Sequence, residues 1–314
     1  MQTEPLSRSA EEWSIEPDRN MPSLSEIGDA PLEAGRLRRV PAIFPATPCP
    51  DAAPYASVVA ADDLTNSIIG TDRPKKTHGT FELKFLIDEV RATEIMAWAR
   101  QFLDPDSHSD PQLGDAYYVN SLYLDTPDFD IFHRMTGFRQ QKFRLRRYGR
   151  ENLVWFEEKR KRNGLVRKRR VSVEQTDVAS RIVGPSEPGW NGQWFRDKID
   201  ERRMRPVSQV TYRRFARLGI TDEGPMRLTI DDRLTARLAN GWQVPAAPLD
   251  GIGLLDGQRI LELKFRGAMP LLFRSLVEKQ QLQVTPFSKY RTSVEECVPL
   301  DSLAGDETQG ADNA

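Results

Sequence analysis

The chain has 314 residues, 29% of them charged and 39% hydrophobic, with a formal net charge of −1. That is long enough for one large domain or two small ones with real cores, and the near-zero balance argues against a general nucleic-acid coat. No run approaches the ~20 apolar residues of a membrane-spanning helix, the N-terminus (MQTEPLSRSAEEW) lacks the order of a secretory signal, and two cysteines with three histidines give neither a disulfide framework nor a convincing zinc site. The expectation is a soluble protein of a reducing, cytoplasmic compartment.

In chain order, residues 1–75 come first and hold ten of the 22 prolines, scattered among Ser, Ala, Glu and Asp. Such a stretch buries too little apolar surface to offset its ordering entropy and reads as a disordered tail. Period-2 alternation then predicts a strand near 79–87. A helix follows over about 89–103, with Asp88 as N-cap and Ile95, Trp98 and Phe102 on one face. Strands are predicted near 117–125, 139–148 and 152–161, then, after a turn at Asn163-Gly164, near 165–175. The Pro/Gly-rich segment 184–192 reads as a loop, and 191–203 as a helix carrying Trp194, Lys198 and Ile199. Three more strands are predicted near 207–218, 226–235 and 258–266, with Gly251, Gly253 and Gly257 read as a hairpin turn. A helix over about 270–282 has Pro270 at N1 and Leu272, Leu276 and Val277 in a stripe. Residues 76–302 thus form one domain, and 303–314 (LAGDETQGADNA) a second disordered tail.

The polar faces of these strands are not the usual scatter. Glu82 and Lys84 oppose Leu83, Phe85 and Ile87, and Lys142, Arg144 and Arg146 oppose Phe143 and Leu145. Trp155, Glu157, Lys159 and Lys161 oppose Val154 and Phe156, while Lys168 and Arg170 oppose Val171 and Val173. Arg227, Thr229 and Asp231 oppose Leu228 and Ile230, and Glu262, Lys264 and Arg266 oppose Leu261, Leu263 and Phe265. Between Arg139 and Arg170 stand fourteen Lys/Arg against three acids. For any single strand a solvated outer face is the simpler reading. For the set it weakens, because like charges on neighbouring strands repel and call for a compensating anion or metal.

One geometry satisfies all of these strands. The expected fold is α+β: an eight-stranded antiparallel β-barrel tunnel with a polar interior, its apolar faces outward under flanking helices. A barrel of that size can hold one ligand, and a bore of Arg and Lys suits a chain of phosphates. The interleaved carboxylates Glu82, Glu157, Asp231 and Glu262 gain a purpose if Mg²⁺ or Mn²⁺ bridges carboxylate to phosphate.

The segments FELKF, SLYLDT, KFRLRRYG, WFEEKRKRNGLVRKRR, TYRRFA, RLTIDD, ILELKF and PFSKYR, in this order over about 79–296, carry a resemblance. None is specific alone; together the chain resembles the catalytic domain of the vacuolar transporter chaperone (VTC) polyphosphate polymerases, in the CYTH-like triphosphate tunnel metalloenzyme superfamily. The resemblance implies a tunnel in which the terminal phosphate of ATP passes to a growing polyphosphate, assisted by Mn²⁺ or Mg²⁺. It implies Glu82 and Lys84 from the first E-x-K, Arg144 and Arg146 as the clamp on the transferred phosphate, and Glu157 with Lys159 from the next E-x-K. It also implies Lys168 and Arg170 as a basic pair, Arg214 from a Y-x-R, Glu262 as metal ligand with Lys264 beside it, and Lys289 from the closing S-K-[FY]. The superfamily's triphosphatases and cyclases usually begin E-x-E-x-K, but Thr80 stands at the first glutamate position, which favours the VTC branch. The inositol-phosphate-sensing domain and membrane anchor of the eukaryotic polymerases are not visible, so regulation and export through a membrane are not expected.

The expected roles follow. Arg144, Arg146, Lys159 and Lys84 act as catalytic residues that hold the triphosphate in line. Lys142, Lys168, Arg170, Arg214, Lys264 and Lys289 bind substrate. Glu262, with Glu82, Glu157 or Asp231, holds the metal. Two rivals share the residues: a triphosphatase or cyclase in the same tunnel, and, from another class, a non-catalytic polyanion-binding module. No P-loop is present. His78, His108 and His133 read as surface or loop residues. Asp125 reads as a turn-starting residue before Thr126-Pro127, and Tyr117, Tyr118, Tyr123 and Trp155 as packing rather than base-stacking rings.

Overall fold

The computed structural model describes residues 80–162, 165–185, 189–299 and 303. The expected N-terminal tail, the C-terminal tail beyond Leu303, His78, Cys49 and the turn at Asn163-Gly164 lie outside the described residues.

The elements in order are β1 (Thr80–Ile87), α1 (Glu89–Phe102), β2 (Asp104–Pro105), β3 (Ala116–Asp125), β4 (Gln141–Tyr148), β5 (Leu153–Arg162) and β6 (Leu165–Glu174). Then come α2 (Val178–Val183), α3 (Gln193–Glu201), β7 (Arg205–Thr221), β8 (Gly224–Leu238), β9 (Ile252–Gly253), β10 (Arg259–Arg266), α4 (Leu271–Lys279) and α5 (Lys289–Cys297). All eight expected strands are present. β7 and β8 run further than their alternation indicated, and α2 and α5 were not anticipated. The eight long strands form one antiparallel path, β1-β10-β8-β7-β3-β4-β5-β6. It curls until its edges, β1 and β6, approach each other. No ladder joins those edges among the described residues; the seam is spanned instead by the ion pair of Lys159 on β5 with Glu82 on β1, at 2.9 Å.

Apolar faces point outward into two cores. Leu83, Phe85, Leu228, Ile230, Leu261 and Leu263 pack under α1 and α4, while Phe143, Leu145, Val154, Phe156 and Val173 pack under α2 and α3. Asp88 caps α1 as expected, accepting from the Arg91 amide at 2.8 Å. The buried face of α1 is however Ala92, Ile95 and Ala99; Phe102 is 48% exposed and packs at a tilt against half-buried Trp98. Small alanines let the helix sit close to the sheet, an advantage that side-chain size alone does not signal. In α3 Phe195 and Ile199 are the buried anchors rather than Trp194, and Pro270 occupies the N-cap of α4 rather than N1. Gly251 immediately precedes the short strand β9 and Gly253 ends it, so neither stands in a hairpin turn; a Cβ on Gly251 would meet the Ala236 carbonyl oxygen at 2.3 Å.

The β7–β8 ladder passes from Arg213↔Asp232 to Thr211↔Thr235, so β8 carries one extra residue across from Tyr212, at Arg233, whose φ is +50°. Such a bulge shifts the alternation by one residue. Past it the inward face of β8 turns from Arg227, Thr229 and Asp231 to Leu234 and Ala236, which share a core with Tyr290 and Val294 of α5. The bulge thus makes an apolar seat inside the curl, and α5 occupies it.

Asp125, at the end of β3, fastens α5 to the wall. Its carboxylate accepts from the amides of Thr126, Ile131 and Phe132 at 2.7–2.9 Å and from the Tyr290 hydroxyl. It does begin the turn, and it does more than that. Asp125→Ala strands three buried N–H groups and should cost about 3 kcal/mol or more, against about 1 kcal/mol for Tyr290→Phe; urea unfolding of both variants measures the difference.

Candidate functional site

Cross-strand partners share a face, so the register fixes what lines the hollow. The pairs Glu82↔Lys264 and Lys84↔Glu262 place four charges of β1 and β10 together. Arg214↔Asp231 and Arg214↔Tyr117 extend the lining across β8, β7 and β3. Tyr123↔Arg144, Ser121↔Arg146, Arg144↔Glu157, Lys142↔Lys159, Lys159↔Lys168 and Glu157↔Arg170 complete it through β6. Every residue named as a candidate from sequence on these strands faces the same hollow. Lys289 reaches it from the first turn of α5.

Inside, the charges form three groups. Glu82 meets Lys159 at 2.9 Å, Lys84 at 3.2 Å and Lys264 at 3.6 Å, and Glu262 meets Lys264 at 2.8 Å and Lys84 at 3.7 Å. Burial raises both carboxyls, but these ammoniums outweigh it: Glu82 lies well below the usual carboxylate range, and Glu262, also raised by Glu82, still falls to about 2. In the second group Glu157 bridges Arg144 at 2.6 Å and Lys168 at 2.7 Å. In the third, Asp231 takes a bidentate pair from Arg214 at 2.7 and 2.8 Å and a bond from Lys289 at 2.7 Å. Burial raises these two carboxyls as well, and their cations more than reverse it.

Lys142 stands apart. It donates to Ser288 Oγ at 2.8 Å, and burial together with Lys84, Lys159 and Arg144 pushes it well below its ordinary value. Arg146, 4% exposed, donates to Ser121 Oγ at 2.9 Å. Arg170 lies over the Trp155 ring at 4.1 Å. Segment 285–289 crosses the mouth: the Thr285 amide bonds the Lys84 carbonyl, Lys84 Nζ bonds the Phe287 carbonyl, and Ser288 caps α5. Beneath it opens a cavity of about 710 Å³ lined by Lys84, Lys142, Lys159 and Lys161, with Arg139 and Arg291 among its wall residues.

A divalent cation fits this donor set in one place. Glu82 and Glu262 are ionised hard-oxygen donors that flank the same two ammoniums. Among the described residues no three His, Cys, Asp or Glu side chains converge, so the protein offers a pair, and Mg²⁺ or Mn²⁺ commonly completes its shell with water and substrate phosphate. The four carboxylates expected to hold metal are thus not brought together: Glu157 and Asp231 lie in separate groups, each engaged by two cations.

Tyr212 was not singled out from sequence. Its ring lies under Lys289 at 4.6 Å, Arg214 at 5.2 Å and Arg146 at 5.9 Å. The bulge lies on β8, so alternation along β7 still puts Tyr212 on the face of Arg214; a lone tyrosine there reads as packing. Ser121 and Ser288 stand within the SLYLDT and S-K-[FY] segments but were given no role, because a neutral hydroxyl adds nothing to a charge pattern. Tyr117 and Tyr123 are buried, as the packing reading held, yet both point inward.

A curled antiparallel sheet with its cations and carboxylates facing a common bore is a tunnel of the triphosphate tunnel class. The family model of the VTC domain matches residues 80–298, and the chain belongs to that family. Similar solved structures include a candidate adenylate cyclase from Bacillus halodurans, at 13% identity and TM-score 0.40, over 67% of this chain and 95% of that one. A candidate adenylyl cyclase from Hippeastrum, described as having a dominant triphosphatase activity, gives 12% identity and TM-score 0.42 over 71% and 98%. The PH1819 protein from Pyrococcus horikoshii gives 12% and 0.37 over 68% and 95%. At these values the likeness is one of outline and carries no argument about activity. Comparison with curated proteins gave no match. Among the described residues no helix is long and apolar enough to cross a membrane.

The opposite end of the bore, where β4 finishes at Tyr148, is held by residues 106–108. His108 does lie in a loop, as read from sequence, but it is fastened rather than free. Nδ1 meets Asp106 at 2.9 Å and Nε2 meets Glu151 at 3.1 Å, the ring sits against Tyr117 and Tyr148, and Arg227 pairs with Asp106 at 2.8 Å. Burial lowers His108, but the two carboxylates override it and raise it to about 10. A folded value above the unfolded ~6.5 stabilises fully below ~pH 6.5, and this contribution disappears as pH rises through the folded value. Wild-type stability should therefore fall between pH 6.5 and 10 more steeply than that of His108→Gln, as measured by urea midpoints across that window.

Proposed function

We propose that the chain is a metal-dependent phosphotransferase that passes the terminal phosphoryl group of ATP to the end of a polyphosphate, in a cytoplasmic setting where ATP is supplied. The observation that carries this reading is the surplus of inward cations around one bore, with ionised carboxylates set among them. A sugar-phosphate backbone would be repelled by those carboxylates, whereas a phosphate chain accompanied by a divalent cation uses both signs of charge.

Phosphoryl transfer asks a protein mainly for positioning and for stabilising charge on the equatorial oxygens. In this reading Arg144 and Arg146 clamp the transferred group, the latter steered by Ser121, and Lys84 and Lys159 release Glu82 to engage it. Lys142, Lys168, Arg170, Arg214, Lys264 and Lys289 track the rest of the chain. Glu82 and Glu262 would hold Mg²⁺ or Mn²⁺, which would neutralise phosphate oxygens and polarise the transferred group. Glu157 and Asp231 hold the cations in register rather than the metal.

The acceptor is already an anion at neutral pH, so transfer needs no general base. Glu82, Glu157, Asp231 and Glu262 all titrate below the usual range, which makes them weak bases toward water. Lys142, shifted down, is the feature that favours hydrolysis. A phosphate chain bound among its cationic neighbours would offset the part of that shift caused by Lys84, Lys159 and Arg144 and favour the charged form of Lys142, so it serves here as a binding group.

Incubating the full chain with ATP and Mn²⁺ separates the readings by product: long-chain polyphosphate for the polymerase, free phosphate for a triphosphatase, cyclic nucleotide for a cyclase. Polyphosphate binding without turnover would indicate a non-catalytic polyanion-binding module. Arg146→Ala and Glu262→Ala should each lower polyphosphate synthesis at least ~100-fold, the scale of losing a transition-state contact, with circular dichroism unchanged. Retained synthesis in either variant removes that residue from its role.

A further inference from the structure

Thr229 lies on β8 between Arg227 and Asp231, facing the bore, with Glu262 and Ala216 as its cross-strand neighbours. It is 1% exposed, and its hydroxyl has no hydrogen-bond partner among the described residues. Buried hydroxyls are nearly always satisfied, because desolvating one with nothing in return is unfavourable. Valine has the same shape and would avoid this cost, so nothing about packing favours the oxygen. The carboxylates on either side, Glu262 and Asp231, are already engaged by Lys264, Lys84, Arg214 and Lys289.

We propose that the Thr229 hydroxyl donates a hydrogen bond to a phosphate oxygen of a triphosphate or polyphosphate seated at the level of Glu262 and Arg214. The inference rests on the reading of the bore as a phosphate site and adds a neutral, directional donor to it. Cations attract a polyanion at any register along the bore. A hydroxyl that must be met at hydrogen-bond distance selects one register, and so fixes which phosphorus stands opposite the arginine clamp.

The test is calorimetric binding of tripolyphosphate to the full chain, with and without Mg²⁺, alongside melting of the ligand-free protein. Thr229→Val should bind ~10-fold more weakly in both conditions, and Thr229→Ser within ~2-fold of wild type, as expected for one hydrogen bond to a charged group. The ligand-free Thr229→Val protein should melt at or above the wild-type temperature, since it no longer buries an unmet hydroxyl. Because the lost contact is uncharged, the deficit should stay constant from low to high salt, whereas that of Lys168→Ala shrinks. Equal affinity of Thr229→Val and wild type overturns the inference while leaving the phosphate-site reading intact. So does a lower melting temperature of ligand-free Thr229→Val, which would show that the hydroxyl is satisfied within the fold. Failure of wild type to bind tripolyphosphate overturns both.

Discussion

Repulsion among like charges facing one another across a narrow bore is the constraint from which the rest of this structure follows. Lys84, Lys142, Arg144, Arg146, Lys159, Lys168, Arg214, Lys264 and Lys289 are all turned inward on adjoining elements. In a low-dielectric interior such a ring cannot stand alone. Glu82, Glu157, Asp231 and Glu262 are spaced so that most of these cations have an acid within reach. Where that arrangement gives out, at Lys142, burial and the neighbouring cations lower the ammonium's proton affinity instead.

The same arrangement makes the interior exchangeable rather than fixed. Removing one partner of a buried pair is costly because it strands the other, but replacing both partners together is not. Under the proposed reading, a phosphate chain arriving with its divalent cation offers the lysines new anions and the glutamates a new cation in one event. The wall then needs side-chain rearrangement and no change of fold. Asp231 differs: fully buried and tied to both Arg214 and Lys289, it holds the α5 lysine over the bore.

Most of the architecture was legible because alternation is a strong signal wherever a strand separates grease from charge. Leu83/Lys84/Phe85 and Leu261/Glu262/Leu263 could be assigned faces by inspection, and the register then brought their charges together as the barrel reading required. The inward lining of the candidate site was legible to the same depth, with Arg144, Arg146 and Glu157 on one inner wall. What escaped had specific causes. The bulge at Arg233 resets the period of β8 and hides the apolar seat for α5. The helix α1 packs through alanines, so size-weighted reading chose Phe102. His108 is charged by Asp106 and Glu151, one of them 43 positions away, and no local pattern encodes such a meeting. Grouping of the carboxylates also depended on register, which is why four candidate ligands resolved into one adjacent pair and two separate anchors.

The seam between β1 and β6 has a consequence for how copies of the chain behave toward one another. A strand with unbonded amides and carbonyls is a template for any passing strand, and proteins commonly discourage such pairing with charge. On β6 the run Arg167, Lys168, Arg169, Arg170 places cations on both faces of the edge, with the first three exposed. A second β6 approaching in either orientation would meet its own charge. The basic run that suits the interior on its inward side would therefore also oppose edge-to-edge pairing on the outward one.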